Sequence, residues 1–199
     1  MTPPPDSSDI TPLGHRSPKS GGGGVTMSSI ESIKESIRTI PDFPIKGVQF
    51  RDITPLLLDK DKFRSCIDHF AKIAGPDVDY VISIESRGFI FGSALAYALG
   101  IGFVPIRKAG KLPHKTHSAS YDLEYGTATV EIHADALKDG ARVIIVDDVL
   151  ATGGTAEAAT RLVGKFHGTI SGIYFLIELE ALKGRARLGN FPVRSLVTY

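Results

Sequence analysis

The order of apolar segments along this chain restricts its fold more than any other feature. A short apolar run at residues 80–84 is followed by a helix-like segment at residues 89–99 and by a second apolar run at residues 103–106. The same order repeats between residues 143 and 177. A strand, a helix and a second strand in this order form a unit whose two strands are parallel. The sequence therefore predicts an α/β fold with a parallel central sheet flanked by helices.

Residues 1–26 differ in composition from the rest of the chain. They hold 5 of the 12 prolines and a run of four glycines. Such a segment buries too little apolar surface to offset the entropy of ordering it, so we expect a disordered low-complexity tail. Residues 27–199 are expected to form one domain. Its first helix is predicted after Met27, and the Pro- and Gly-punctuated residues 41–57 are predicted to be a compact loop structure.

Charge and cysteine content exclude several classes of function. The chain has 23 Lys and Arg against 22 Asp and Glu, so its formal charge of +1 argues against nucleic acid as a partner. Residues 89–106 carry no formal charge, but internal Gly and Pro divide them into a helix and a strand, so no membrane association is predicted. A single cysteine, Cys66, cannot form an internal disulfide, and no apolar leader opens the chain. A cytoplasmic location is therefore predicted.

The stretch VIIVDDVLATGGTA, residues 143–156, carries the clearest chemistry. Four apolar strand residues end at two carboxylates, Asp147 and Asp148, and a loop of small residues then opens a helix. Glycines let the backbone approach a ligand, and free amides at a helix N-terminus favour a phosphate. Carboxylates instead suit hydroxyl groups or a phosphate-bound cation. The combination indicates a sugar phosphate, although a capped strand end and a plain turn remain an alternative.

A second anion site is indicated at residues 85–88, Glu-Ser-Arg-Gly, again between a buried strand and a helix. Arg87 offers a fixed cation, and Gly88 permits a close approach of the backbone. Carboxyl ends of parallel strands lie at one edge of a sheet, so both loops should face a common crevice. The chain contains neither GxxxxGK[ST] nor a GxGxxG after a strand, which excludes P-loop hydrolysis and dinucleotide redox chemistry.

Residues 108–120 are predicted to be a mobile basic loop, because they contain three lysines and two histidines without an apolar period. Alternation at residues 121–124 and 127–132 predicts two antiparallel strands beside it. His114 and His117 lack the further ligands that a zinc site needs, so no protein metal site is predicted.

The stretch at residues 143–156 resembles the 5-phosphoribosyl-1-pyrophosphate signature of type I phosphoribosyltransferases. Five further segments, in the same order and spread over nearly all of residues 30–199, resemble adenine phosphoribosyltransferases: PDFPIKGVQFRDITPLL, ESRGFIFG, IRKAGKLP, SYDLEYG and LIELEALKGR. The resemblance implies a type I phosphoribosyltransferase fold, with a small N-terminal hood near residues 27–57 and an antiparallel hairpin that carries a flexible loop. It implies transfer of 5-phosphoribosyl to adenine, giving AMP and pyrophosphate, by a homodimer with Mg2+ carried on the donor.

The resemblance also implies a role for each matching residue. Ribose hydroxyls would bind Asp147 and Asp148. The 5-phosphate would bind Ala151, Thr152, Gly153, Gly154 and Thr155. Pyrophosphate would bind Ser86, Arg87, Arg107, Lys108 and Lys111, partly across a dimer interface. Adenine would be read by backbone groups of Gln49, Phe50 and Arg51.

Glu124, in SYDLEYG, is the candidate catalytic carboxylate that manages the proton on the incoming base. The residues alone favour an outward-facing strand residue beside Tyr125, and it is the resemblance that assigns Glu124 the catalytic role. Two other functions are considered. One is transfer to a different purine base, against which the hood motif argues. The other is a non-catalytic regulator that senses the donor, but such a regulator needs a DNA-binding module that 26 low-complexity residues cannot supply.

Overall fold

The computed structural model describes residues 27–122 and 126–199. Its helices are α1 (Met27–Glu35), α2 (Thr54–Leu58), α3 (Lys60–Ala74), α4 (Gly88–Leu99) and α5 (Gly154–Gly164). Its strands are β1 (Arg38–Pro41), β2 (Gln49–Asp52), β3 (Tyr80–Ile84), β4 (Gly102–Lys108), β5 (Thr116–Asp122), β6 (Thr127–His133), β7 (Arg142–Leu150), β8 (Thr169–Glu178) and β9 (Val193–Thr198). Two 3-10 turns, Glu180–Leu182 and Gly184–Leu188, connect β8 to β9.

Seven of these strands form one sheet in the order β5-β6-β4-β3-β7-β8-β9. Strands β4, β3, β7, β8 and β9 are parallel to one another. Strand β6 runs antiparallel to β4 and pairs with β5 as an antiparallel hairpin. The predicted α/β fold with a parallel centre and an antiparallel hairpin is confirmed. Strands β3 and β7 are direct neighbours, so the segments that follow them lie side by side.

Both faces of the sheet are covered by helices. Along β7, Ile145 belongs to the apolar core on the side of α5, and Ile144 belongs to the core on the side of α3 and α4. This alternation follows from the two-residue period of a strand. On the second face Phe70 stacks on Tyr174 at a centroid distance of 6.0 Å. Burying a large apolar side chain contributes roughly 1.5–3 kcal/mol, so the two cores hold the sheet edge that carries the loops in a fixed position.

Regular structure in the N-terminal region exceeds the prediction of a compact loop over residues 41–57. Strands β1 and β2 form a two-stranded antiparallel hairpin, and α2 follows directly. The connection closes where Asp42 Oδ1 accepts a hydrogen bond from the Gly47 backbone amide at 2.6 Å. Four-residue strands separated by Pro and Gly give little periodic signal, which explains the difference. We call residues 27–57 the hood.

Strand β5 begins at Thr116, so the predicted basic loop over residues 108–120 is too long. Its pairing with β6 runs from Thr116 opposite His133 to Asp122 opposite Thr127. The connection between β4 and β5 is limited to residues 109–115. An edge strand that is half exposed needs no apolar period, and this absence concealed it in the sequence.

Strand β7 extends beyond the predicted residues 143–146, to Leu150. Its partner β8 continues beside it, with Leu150 opposite Glu178. Asp147 and Asp148 therefore lie within the last four residues of the strand and not in the loop after it. Both side chains border one cavity at this edge of the sheet.

Candidate active site

The loop between β7 and α5 forms a small cradle at the carboxyl edge of the sheet. A cavity of about 60 Å3 is lined by Asp147, Val149, Leu150, Ala151, Thr152, Gly153, Gly154, Thr155, Ala156 and Phe175. All five predicted phosphate-loop residues are in this set. Gly153, the residue before α5, has a φ of +85°, a left-handed conformation that favours glycine. Free amides at the start of α5 and the positive end of its dipole suit a phosphate.

The acidic pair lies beside this cradle and is largely removed from water. The Asp148 side chain is 8% exposed, and its Oδ2 lies 2.7 Å from Arg87 Nε, an ion pair without hydrogen-bond geometry. Burial raises the pKa of both carboxyls; the neighbouring charge of Asp148 raises that of Asp147 further, whereas Arg87 opposes the rise at Asp148. Two adjacent desolvated carboxylates of this kind are suited to accept hydrogen bonds from ligand hydroxyls.

Gly88 lets the start of α4 approach the acidic pair. A side-chain carbon at this position would lie 2.6 Å from Asp147 Oδ1 and 3.2 Å from the Val146 carbonyl oxygen. Position 88 therefore accepts only glycine, because any side chain there would collide with β7. This contact brings the two predicted anion-binding segments together.

A polar cavity of about 380 Å3 joins the two segments. It is lined by Ile84, Glu85, Ser86, Arg87, Lys108, Tyr121, Val130, Asp147, Asp148, Val149, Ala151 and Thr155. The predicted common crevice therefore exists in the described structure, and it includes three of the five predicted pyrophosphate-binding residues. Ile84, Tyr121, Val130 and Val149 were not predicted. Tyr121 lies in the SYDLEYG segment, which is the only signal that pointed to it.

Arg107 and Lys111, the other two predicted pyrophosphate-binding residues, do not line this cavity. Arg107 Nε and Nη2 each lie 3.3 Å from a carboxylate oxygen of Glu85, and Arg107 Nη1 donates to the Lys111 carbonyl oxygen at 3.0 Å. The hydrogen bond from Arg107 lowers the pKa of Glu85, and the Lys108 backbone amide adds to this effect. Glu85, which lines the cavity, is thus bonded both to the Arg107 side chain and to the Lys108 backbone amide.

A third cavity, of about 510 Å3 and mostly apolar, lies between the hood and α4. It is lined by Ile40, Phe43, Phe50, Asp52, Ile53, Thr54, Leu57, Arg87 and Ile90. The guanidinium carbon of Arg87 lies 5.5 Å from the centroid of the Phe50 ring, within the range of a cation–π contact. Arg87 therefore lines both this apolar cavity and the polar cavity described above. The sequence did not reveal its place in the apolar cavity.

The predicted hood residues divide between this cavity and the protein surface. Phe50 lines the cavity, whereas the side chain of Arg51 stacks on the Tyr199 ring at 3.7 Å and Gln49 is exposed. The hood wall is held by Asp52: hydrogen bonds from Thr54, then the Arg38 ion pair at 2.5 Å, lower the pKa of Asp52 to about 2. The expected recognition of adenine by backbone groups stays a prediction.

Two predictions lie outside the described residues: the catalytic role of Glu124 and the disordered tail over residues 1–26. Within residues 27–122 and 126–199, no cluster of three or more His, Cys, Asp or Glu side chains is placed to hold a metal ion. In the same ranges, no helix has the length and apolar character needed to span a membrane.

Comparison with known proteins identifies the class first. The phosphoribosyl transferase domain family matches residues 60–188. Among curated relatives, adenine phosphoribosyltransferases of Brachyspira hyodysenteriae and Thermotoga neapolitana are 53% and 54% identical over 168 residues, 84% of this chain and 99% of each relative.

Solved structures give the same result. An adenine phosphoribosyltransferase from Thermoanaerobacter pseudethanolicus is 51% identical, with a TM-score of 0.83 over 85% of this chain and 99% of that one. The Saccharomyces cerevisiae adenine phosphoribosyltransferase is 43% identical, with a TM-score of 0.81 over 86% and 99%. Fold and site thus define a phosphoribosyltransferase. The chain belongs to the adenine phosphoribosyltransferase family.

Proposed function

We propose that this chain is an enzyme of purine salvage that transfers 5-phosphoribosyl from 5-phosphoribosyl-1-pyrophosphate to adenine, giving AMP and pyrophosphate. One observation carries the proposal: the phosphate cradle after β7 and the segment at residues 85–88 open on one polar cavity, with the buried acidic pair between them. This arrangement suits a ribose with an anionic group at each end. The yeast relative was solved with an iminoaltritol 1,6-bisphosphate and adenine, and a Giardia lamblia relative, 38% identical, with 9-deazaadenine.

In the proposed complex, the 5-phosphate lies on the amides of residues 151–155, and the ribose hydroxyls donate to Asp147 and Asp148. Pyrophosphate binds Ser86, Arg87 and Lys108 at the opposite side of the cavity. Arg107 and Lys111 do not line this chain's own cavity, which supports their action across the interface of a homodimer.

Adenine is proposed to bind in the apolar cavity beneath the hood. Its volume of about 510 Å3 lies in the range of small-molecule sites. Phe50 and Arg87 supply two planar groups beside which a purine ring can stack. Backbone groups of Gln49, Phe50 and Arg51 are proposed to read the edge of the base. Because Arg87 lines both cavities, the base and the anomeric carbon meet beside it.

Catalysis requires the bond from the anomeric carbon to pyrophosphate to break, which leaves an oxocarbenium-like ribose. Cations around the leaving group stabilise its developing charge, and Glu124 is proposed to take the proton from the incoming base. The oxygens of Asp147 and Asp148 are of the type that Mg2+ accepts, so the residues present fit a donor-bound Mg2+, which would supply further positive charge. The loop at residues 109–115 is proposed to close over the site and exclude water.

A homodimer is proposed because apolar side chains are exposed on one face. Leu58 and Tyr97 are 82% and 83% exposed beside a groove of about 410 Å3 between α3 and α4. Exposed apolar patches of this kind mark protein interfaces. Light scattering after gel filtration should give twice the mass of one chain, and a monomer at working concentration would contradict the proposal.

A cytoplasmic location is also proposed, since Cys66 is a free buried thiol.

The function is tested by incubating the protein with donor, Mg2+ and one of adenine, hypoxanthine, guanine, xanthine, uracil or orotate. Chromatography of the nucleotide products should detect AMP with adenine and at most traces with the other bases. Preference for hypoxanthine, guanine or xanthine would establish another purine specificity, and preference for uracil or orotate would contradict a role in purine salvage. No product with any base, together with tight binding of the donor, would establish a sensor of the donor.

A further inference from the structure

The 3-10 turn at Gly184–Leu188 touches the phosphate cradle through its backbone. A side-chain carbon at Gly184 would overlap the Ala151 carbonyl oxygen and lie 3.0 Å from the Gly153 backbone nitrogen. A side-chain carbon at Gly153 would in turn overlap the Gly184 carbonyl group. Two backbone segments that are 31 residues apart in the sequence are therefore in direct contact. The 3-10 turn therefore packs directly against the cradle.

This support is itself fixed by a cluster of polar side chains around the buried carboxylate of Glu178. Arg185, next to Gly184, donates from Nε to Glu178 Oε1 at 3.0 Å and from Nη2 to Glu178 Oε2, and its Nη1 donates to the Val193 carbonyl oxygen at 3.0 Å. Ser195 Oγ donates to Glu178 Oε2 at 2.6 Å. Glu178 is 6% exposed, and the hydrogen bond from Arg185, with that from Ser195, lowers the pKa of its carboxyl. We call Glu178, Arg185 and Ser195 the anchor cluster.

The anchor cluster is attached to the strand that leads into the cradle. Glu178 is the last residue of β8 and pairs with Leu150, the last residue of β7. On its other side the turn reaches the first turn of α5, where Arg187 Nη1 lies 3.6 Å from Glu157 Oε2. The 3-10 turn therefore contacts the cradle and the start of α5, and through Glu178 it is bonded to the strand that pairs with β7.

Gly153 itself adds little rigidity to the cradle. Gly153 provides no side-chain cap for α5, and its left-handed conformation has no intrinsic rigidity in a glycine. A phosphate site made of backbone amides binds well only if those amides already point at the ligand, because ordering them on binding costs free energy. The contact with Gly184 holds them in place.

We propose that Arg185 is a positioning residue for the 5-phosphate cradle. It does not touch the substrate. It holds the Gly184 peptide against Ala151 and Gly153 and so keeps the amides of the cradle in the binding conformation. This inference rests on the proposed function, since it assumes that the cradle binds the 5-phosphate of the donor and of AMP.

The test compares AMP with adenosine, which lacks only the 5-phosphate. The ratio of their inhibition constants in the wild-type protein measures the contribution of the cradle. In Arg185→Gln, AMP should bind about tenfold or more weakly, while adenosine binding changes less than twofold, which reduces the ratio by about tenfold. The KM for the donor should rise with it, and the KM for adenine should stay unchanged. Arg185→Lys should restore part of the ratio, because it keeps one charged bond to Glu178.

Arg142→Gln is the matched control. Arg142 donates to the Asp77 carbonyl oxygen at 2.9 Å at the far end of the sheet, so its loss removes an arginine-to-backbone hydrogen bond, like that from Arg185 to Val193, without touching the cradle. The control should keep the wild-type ratio. An equal loss of AMP and adenosine binding in Arg185→Gln would indicate general destabilisation and overturn the inference, as would an unchanged ratio.

Two further variants keep the inference testable if Arg185→Gln does not fold. Ser195→Ala removes one bond to Glu178 and should lower the ratio by a few-fold. Gly184→Ala places a methyl group against Ala151 and should reduce it at least as strongly as Arg185→Gln. Unchanged ratios in both would overturn the inference. A wild-type protein that binds AMP no better than adenosine would instead refute the assignment of the cradle, and with it the proposed function.

Discussion

Gly153→Ala tests the idea that the close contact of two backbones determines the shape of the phosphate cradle. Two effects act against alanine at this position. Its φ of +85° is unfavourable for an L-residue, at a net cost of about 1 kcal/mol after the lower entropy of the unfolded chain is included. The methyl group of alanine would also overlap the Gly184 carbonyl group. If the two segments separate to relieve this overlap, the loss of folding free energy increases by about 2 kcal/mol. The total loss of stability is about 3 kcal/mol.

Gly140→Ala separates these two effects. Gly140 has a similar φ of +71°, but nothing lies within 4 Å of the position that its side chain would occupy. This control should therefore lose only about 1 kcal/mol. For a chain of this size each kcal/mol lowers Tm by about 2–4 °C, so Tm should fall by about 3 °C in Gly140→Ala and about 9 °C in Gly153→Ala.

The assay is thermal unfolding followed by circular dichroism, combined with calorimetric titration of AMP at a temperature where both variants are folded. Gly153→Ala should bind AMP about tenfold more weakly, because the cradle amides are displaced, and Gly140→Ala should bind it normally. Equal Tm changes in the two variants would refute the reasoning, because the contact with Gly184 would then impose no steric limit.

Four further predictions address other parts of the protein. Asp148→Asn should weaken donor binding by about 10–100-fold, measured by calorimetry, because a buried charged acceptor is lost, and should not lower Tm, because like charges no longer adjoin. Glu124→Ala should lower kcat more than donor affinity in steady-state and titration measurements; unchanged kinetics would exclude it from the mechanism. The depressed pKa of Asp52, about 2, adds roughly 1–2 kcal/mol of stability above pH 4 that is lost as the pH falls toward 2; urea titrations should show this loss, and Asp52→Asn should abolish it. Deleting residues 1–26 should leave kcat and Tm within error, and a large loss would contradict the tail assignment.

The central sheet was predictable because buried parallel strands appear in a sequence as uninterrupted apolar runs. Strand β3 coincides with the predicted run at residues 80–84, and α4 differs from its prediction by one residue. The cradle was equally predictable, because a Gly-Gly pair before a helix indicates from the local sequence a loop whose backbone a ligand can approach. All five predicted loop residues line the cavity. Each of these signals is contained within a dozen neighbouring residues.

Features that depend on distant contacts were not predictable from the sequence. The position of Gly184 against Gly153 follows from the path of the chain after β8, and nothing in the LKGR segment indicates that contact. The extension of β7 past Asp147 depends on its partner β8, because two charges in isolation indicate a strand end. Strand β5 is exposed on one side and needs no apolar period.

Arg87 has a consequence for inhibitor design, because its guanidinium borders both the purine-sized cavity and the acidic pair. Fragments selected separately for the two cavities would compete for this one cation, so joining them should yield less affinity than the sum of their free energies. A linker with its own anionic group beside Arg87 should recover the difference. Fragment-merging campaigns on this fold would therefore do well to begin at the guanidinium and grow outward in both directions.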